Sequence, residues 1–290
     1  MHTLHEEIVR FLKQCGFESE LTYLAGQEII LVRCVGDESS PARFVVPQKV
    51  CADSSCEARE QAENLRHLLQ SLEAEGQEII VITEDRWRSQ GDMMRARLLA
   101  HLERFTSLYA RFCCVKKVDK DVAREFLMAN HSYGDAACRY RYGLYLRRPS
   151  RCGTYEADTL VAVATFSNAR KWQKGDKVIR SYEWTRYASL SGVRISGGMG
   201  KVLKAFIEEV HPDDIMSYAD LEWSEGKVYE QLGFVLEGRK DPVMFVVDEA
   251  WRRFPVKLGM TEASGGGTTA KRFFQNLGSN KYRLKLTQYE

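Results

Sequence analysis

The chain has 290 residues, enough for one large domain or two of ordinary size. Its residues are 44% hydrophobic and 28% charged, the composition of a globular protein, and no apolar run is long enough to span a bilayer. A net charge of +2 neither demands nor excludes nucleic acid, and the start Met1-His2-Thr3-Leu4-His5-Glu6-Glu7 lacks the basic and apolar stretches of a secretion signal, so a cytoplasmic protein without membrane contact is expected.

Apolar positions Ile8, Val9, Phe11 and Leu12 predict a short amphipathic helix over Glu6–Gly16, stopped by the glycine. Gly26-Gln27-Glu28-Ile29-Ile30-Leu31-Val32 is echoed by Gly76-Gln77-Glu78-Ile79-Ile80-Val81-Ile82. Both read as buried strands after a glycine turn, alike by chance or as two strands of one sheet. Between them, Ala58, Ala62, Leu65, Leu68, Leu69 and Leu72 fall at helical spacing, and a further helix is expected from Gly91 to about Tyr109. This strand–helix–strand pattern makes a small α/β unit ending near Arg111. All eight cysteines lie between positions 15 and 152. Cys51 and Cys56 find no second pair to complete a zinc site, so buried thiols are expected rather than disulfides or metal ligands.

The second half opens with a strand at Cys113–Val118 and a helix at Asp119–Asn130, whose acidic start suits the helix dipole. Tyr142–Arg147 and Leu160–Phe166 read as an antiparallel pair, and Arg180–Tyr187 as a further strand. Gly197-Gly198-Met199-Gly200 opens a helix running through Val210. Asp214–Ala219 follows as a strand, Glu225–Leu232 as a helix, and Phe234–Glu237 and Val243–Val247 as the last strands of this part. The tail holds a glycine joint at Gly265-Gly266-Gly267 before the segment Lys271–Leu286. Two clusters, Arg139-Tyr140-Arg141-Tyr142 and Arg147-Arg148-Pro149-Ser150-Arg151, mix cations with aromatics. They suit phosphates and bases, although a solvated strand and loop is the reading a single sequence favours.

Four features carry chemistry. The segment Gly197–Gly200 places glycines at a helix N-terminus, where backbone N–H groups and the helix dipole favour an anion, and Lys201 and Lys204 add charge. A nucleotide-triphosphate loop would need glycine at Ile195 and Ser or Thr at Val202. A glycine turn required only for packing is the other reading. Asp220 closes Ser217-Tyr218-Ala219-Asp220 at a strand end, suited to proton transfer, substrate binding or a helix cap. Tyr229 lies on the following helix, where a phenol can give a proton to a departing thiolate or simply pack. Glu183 and Arg186 alternate to opposite faces of their strand and reach one cleft only if a β-bulge intervenes.

The ordered set of strand, glycine loop, helix, strand and Tyr229-Glu230-Gln231-Leu232-Gly233-Phe234 resembles the GNAT acyltransferase superfamily, although Ile195 stands where that loop carries Gln or Arg and Arg194 is one residue off. Tyr182-Glu183-Trp184-Thr185-Arg186, Gly197-Gly198 with Lys201, and Ser217-Tyr218-Ala219-Asp220 with Trp223-Ser224 and Gly226 look like a GNAT-like module of phages and mobile elements, similar to phage Mom DNA-modification proteins. This resemblance spans about Cys113 to Phe254, and extends weakly to Asn276-Leu277-Gly278-Ser279. It implies Arg186, Asp220 and Tyr229 as catalytic residues, and Gly197, Gly198, Gly200 and Lys201 as the cradle for acyl-CoA, acetyl-CoA included. In front, Ile80-Val81-Ile82-Thr83-Glu84-Asp85-Arg86-Trp87 resembles the late strand and turn of very-short-patch-repair endonucleases. No matching metal-binding half accompanies it, which implies a shortened, inactive relative.

The expected fold is therefore α/β, with a small nuclease-like remnant at 1–111, a GNAT-like mixed-sheet domain at 112–256 and an extension at 257–290. The expected function is acyl transfer from acyl-CoA to an amine, a DNA nucleobase among the acceptors. The alternative is a catalytically idle nucleic-acid-binding accessory protein of a phage or mobile element.

Overall fold

Thr3 accepts a hydrogen bond from the Glu6 N–H while the Glu6 carboxylate takes the Thr3 N–H at 2.8 Å, a reciprocal cap that starts helix α1 (Leu4–Gln14) earlier than expected. In this computed structural model, which describes residues 3–34, 42–151, 153–224, 226–256 and 272–288, the chain forms two compact units. The first comprises Met1–Met94, Asp220–Trp223 and Asp241–Ser279; the second comprises Arg95–Ala219, Ser224–Lys240 and Asn280–Glu290. Gly265–Gly267, Cys152 and Glu225 lie outside the described residues.

Strands β1 (Phe17–Leu24) and β2 (Gln27–Cys34) form a hairpin whose two turn residues, Ala25 and Gly26, have φ of 49° and 76°. Positive φ at both positions matches the right-handed twist of the strands. β3 (Arg43–Gln48) pairs antiparallel with β2. The Ser54 hydroxyl then caps α2 (Ser55–Ala74), and the chain crosses over to β4 (Glu78–Thr83), parallel to β3. The echoed segments are thus β2 and β4 of one sheet, ordered β1-β2-β3-β4. Ala58, Ala62, Leu65, Leu68 and Leu72 bury one stripe of α2, as their spacing predicts. After α3 (Glu84–Ser89), α4 (Gly91–His101) stops short of Tyr109. Glu103 takes φ of 62°, and Thr106–Tyr109 becomes strand β5 instead.

A single 3-10 turn (Ala110–Phe112) leads into β6 (Cys113–Lys117) and α5 (Lys120–Asn130). The antiparallel run β6, β7 (Tyr140–Leu146), β8 (Leu160–Phe166) and β10 (Lys177–Ser189) follows, with β9 (Arg170–Lys174) folded onto β10. Next come β11 (Val193–Ser196), which pairs with β5, then α6 (Gly198–Val210), β12 (Asp214–Asp220), α7 (Lys227–Gln231) and β13 (Val235–Lys240). Phe206 of α6 stacks on Phe166, with the edges of Tyr140, Tyr142 and Tyr182 against it. The tyrosines of the Arg139–Tyr142 cluster therefore pack inward, which corrects their reading as stacking platforms.

β14 (Met244–Val247), β15 (Arg253–Pro255) and β16 (Arg272–Gln275) make a three-stranded sheet of the first unit, ordered β15-β14-β16. Phe273 bridges to Ala52 and buries with Ala58, which ties 241–279 to the first unit rather than to the segment before it. β17 (Ser279–Lys285) then enters the larger sheet between β12 and β13, in the order β13-β17-β12-β10-β8-β7-β6. Its Arg283 meets the buried Asp214 carboxylate at 2.7 Å. The α/β class with a mixed sheet holds. The units themselves divide at Met94 and 241–279, where boundaries at 111 and 256 were expected. Among the described residues no helix is long and apolar enough to cross a membrane. Cys113 alone among the described cysteines is buried, while Cys51 and Cys56 are exposed, contrary to the expectation of buried thiols.

Candidate functional site

Strand β10 carries the bulge that a shared cleft requires: Trp184 faces Phe166 while Arg186 faces Thr165, leaving Thr185 as the extra residue. The shift brings Arg186 round toward the side of Glu183, whose charge favours the guanidinium. Arg186 donates from Nε to the Gly134 carbonyl at 3.1 Å and from Nη1 to the Thr185 carbonyl at 2.7 Å, and lies over the Tyr133 ring. Burial lowers its pKa, with Glu183, Tyr133 and Asp135 opposing the shift. Starting from so high a value, the arginine remains a cation at neutral pH.

The parallel pairing of β10 with β12 covers only Ser181–Glu183 against Asp214–Met216. Beyond it the strands continue with other neighbours, β10 with β8 and β12 with β17. Ser217 sits where the pairing stops and donates its hydroxyl to the Trp184 carbonyl at 3.0 Å. That hydroxyl has one proton and a carbonyl only accepts, so the 2.9 Å bond between Ser217 and Tyr229 is donated by the phenol. The result is a chain from Tyr229 through Ser217 to the Trp184 carbonyl. Burial raises the Tyr229 pKa, and the ring stacks on Tyr282. The wedge between β10 and β12 is thus bridged by side chains here.

Gly197 caps α6 with φ of 74° and brings no side-chain acceptor to the first-turn N–H groups. That arrangement leaves these donors suited to a phosphate. The other glycines answer to packing: a Cβ on Gly198 would lie 2.5 Å from the Tyr187 hydroxyl, and one on Gly200 would lie 3.3 Å from Leu232. Lys201 does not face outward to an anion. Its ammonium donates to the Ala110 and Cys113 carbonyls at 2.7 and 2.6 Å, so it fastens the chain before β6 to α6.

Of the three expected catalytic residues, Arg186 and Tyr229 fold within the second unit and Asp220 within the first. The Asp220 carboxylate receives Arg86 at 3.3 Å, inside a buried cluster that the sequence does not announce. In that cluster Arg253 donates to both oxygens of Asp85, to Thr83 at 3.0 Å and to Glu222 at 2.9 Å, and Arg86 lies 3.4 Å from Glu222. Burial alone would raise the Asp85 pKa, but the hydrogen bonds and charge of Arg253, with Arg86, hold it below the ordinary carboxylate value. Three carboxylates share two guanidiniums. Glu222 is pushed up by burial. In the first unit Glu28 lies beside His5, and Lys49 is exposed. Among the described residues no three His, Cys, Asp or Glu gather to hold a metal.

A cleft of about 540 Å³ opens in the second unit between the α5–β7 connection and the segment leading into β9. Lys120, Arg141 and Arg170 line it together with Asp135, Cys138 and Asn168. Sequence reasoning missed this site and the hairpin beside it. β9, Arg-Lys-Trp-Gln-Lys, is exposed at every position and has no apolar alternation to mark it as a strand.

No family model and no curated protein matches the chain. Among solved structures it is similar to histone acetyltransferase HPA2 and related acetyltransferase from Corynebacterium glutamicum, at 10% identity and a TM-score of 0.36 over 61% of this chain and 97% of that one. It is also similar to a mutant of the AtaT toxin bound to the C-terminus of the antitoxin AtaR and acetyl-CoA, at 15% identity and a TM-score of 0.29 over 57% of this chain and 93% of that one.

Proposed function

We propose that the second unit is an acyl-CoA-dependent N-acyltransferase of the GNAT kind whose acceptor is an amine, an exocyclic amine of a nucleobase being the acceptor class that fits best. The observation that carries this reading is the parting of β10 and β12 after three residue pairs, with a glycine-capped helix following in the chain and a half-buried tyrosine at the parting. Bound acyl-CoA supplies the acyl group as a thioester. The first-turn N–H groups of α6, which Gly197 leaves without a side-chain cap, would meet its pyrophosphate. Lys201 supports that loop from behind through the two carbonyls it holds. Admission of the pantetheine arm requires Ser217 to release the Trp184 carbonyl.

The amine forms a C–N bond to the acyl carbon, the C–S bond breaks, the amine gives up a proton to water and the sulfur takes one from a protein donor. Tyr229 keeps its proton at neutral pH because burial raises its pKa, so it is the donor to the sulfur. Arg186 remains charged and orients the acceptor side through Gly134. Asp220, neutralised by Arg86, anchors the end of β12 and is not assigned a base. The test is incubation of the full chain with radiolabelled acetyl-CoA and single-stranded DNA, followed by nucleoside analysis. Label in a modified nucleoside, absent with Tyr229→Phe, supports the reading. Acetyl-CoA binding with no label transferred to DNA or to a panel of amines counts against it.

A second reading has its own observation. The bridge from Ser217 to both Trp184 and Tyr229, and the engagement of Lys201 with carbonyls, suit a core that no longer admits a cofactor. The chain is then a nucleic-acid-binding accessory protein, and DNA binding without acetyl-CoA binding distinguishes it.

A further inference from the structure

The hairpin β9–β10 carries more positive charge than its own carboxylates answer. Arg170, Lys171, Lys174 and Lys177 are exposed, and none of the four is paired with a carboxylate among the described residues; Asp176 is the single acid between them. The pairing register sets Lys177 opposite Lys174 and Ile179 opposite Trp172. Alternation then places Arg170, Trp172, Lys174 and Lys177 on one face of the ribbon. Arg170 and Lys174, four residues apart along β9, are separated by about 13 Å with Trp172 between them, a span that an extended phosphodiester strand can follow. Trp172 is exposed at 37% and has both Lys174 and Arg283 over its ring, so an aromatic surface sits within the row of charges.

The row leads to the cleft, because Arg170 belongs to both. Inside, Arg141 and Lys120 continue the positive lining, while Asp135 contributes an enclosed Oδ1 that accepts no hydrogen bond. An enclosed acceptor calls for a donor, which water or a ligand amine supplies. Thymine has no exocyclic amine to offer, whereas cytosine and adenine have one.

We infer that the β9–β10 hairpin and the adjoining cleft form a binding surface for single-stranded nucleic acid. Arg170, Lys174 and Lys177 carry the phosphates, Trp172 stacks a base, and the cleft receives one amine-bearing base against Asp135. This names the acceptor and its seat for the reading above and rests on that reading only for its chemistry, since binding needs no acyl donor. An acidic protein would match the charges but not the stacking surface or the enclosed acceptor. A duplex keeps its base faces stacked and unavailable to Trp172.

The test is fluorescence anisotropy of labelled oligo-dC, oligo-dT and a duplex with the full chain, without acetyl-CoA, over a salt series. The expected result is tighter binding of oligo-dC than of either alternative, at least tenfold weaker binding in the double variant Lys174→Glu with Lys177→Glu, and a shallower salt dependence in that variant. Trp172→Ala weakens binding of every single strand, and Asp135→Ala removes the preference for oligo-dC. Thermal melts check that each variant is folded, and the exposed Lys174 and Lys177 variants keep the test usable if Trp172→Ala melts early. Charge reversal without effect, a preference for duplex, equal affinity for oligo-dC and oligo-dT, or equal competition by polyglutamate overturns the inference. Binding as expected with no acyl transfer overturns only the enzyme reading; acyl transfer to another amine with no hairpin-dependent binding overturns only this one.

Discussion

Tyr229 is half-buried, and its raised pKa means that it stays protonated across the whole range in which an ordinary tyrosine begins to titrate. Acyl transfer that uses this proton should not fall off until pH passes above the usual tyrosine value, and Tyr229→Phe should lower the rate by about 10²–10⁴-fold with acyl-CoA affinity unchanged. A pH–rate profile with bound acyl-CoA measures both. Gly198 gives a stability prediction at the same scale. Its missing Cβ leaves room for the Tyr187 hydroxyl, so Gly198→Ala should cost about 1–3 kcal/mol, and Tyr187→Phe in the same chain should recover most of it. Urea unfolding of the two single variants and the double variant reads this directly.

At the scale of elements, the first unit is held by Asp85, Arg86, Asp220, Glu222 and Arg253, drawn from three separated stretches of chain. Arg253→Met strands Asp85 without its main partner and should cost about 3–5 kcal/mol, whereas Glu222→Gln replaces a carboxyl that burial already pushes toward its neutral form and should cost about 1 kcal/mol. The two acids respond to pH in opposite senses. The Asp85 pKa is lowered on folding, so its contribution is present above the unfolded carboxylate value and lost as pH falls through the folded one. The Glu222 pKa is raised, so its contribution is present below the unfolded value and lost as pH rises through the folded one. Hydrogen exchange at β4 against pH should show the acid-side loss disappear in Asp85→Asn.

Strands β2, β4 and β8 and helix α2 were legible in the sequence because each buries a continuous or regularly spaced apolar set. β9 was not, because a solvated hairpin needs no such set. The end of α4 was missed because Leu102 continues its apolar spacing while Glu103 turns to positive φ. The bulge at Thr185 was legible as a requirement, since Glu183 and Arg186 could not otherwise share a side of the strand.

For the whole molecule, the order of elements was readable but the partition was not. β17 pairs with strands far back in the chain, and such pairing leaves no local pattern; its Arg283 completes the buried Asp214, which also receives the Ser181 hydroxyl. Residues 112–256 expressed alone lack β17 and should show no cooperative unfolding transition, whereas the full chain should. The candidate residues were likewise readable singly while their partners were not: Lys201 and Asp220 are drawn to groups distant in sequence, at Ala110, Cys113 and Arg86. The central claim is that the second unit takes acyl-CoA at the start of α6. Calorimetric titration of the full chain with acetyl-CoA should give saturable one-site binding with a dissociation constant between about 1 μM and about 1 mM, abolished in a folded Gly198→Val variant. No heat with the wild type, or the same heat with both, would contradict it.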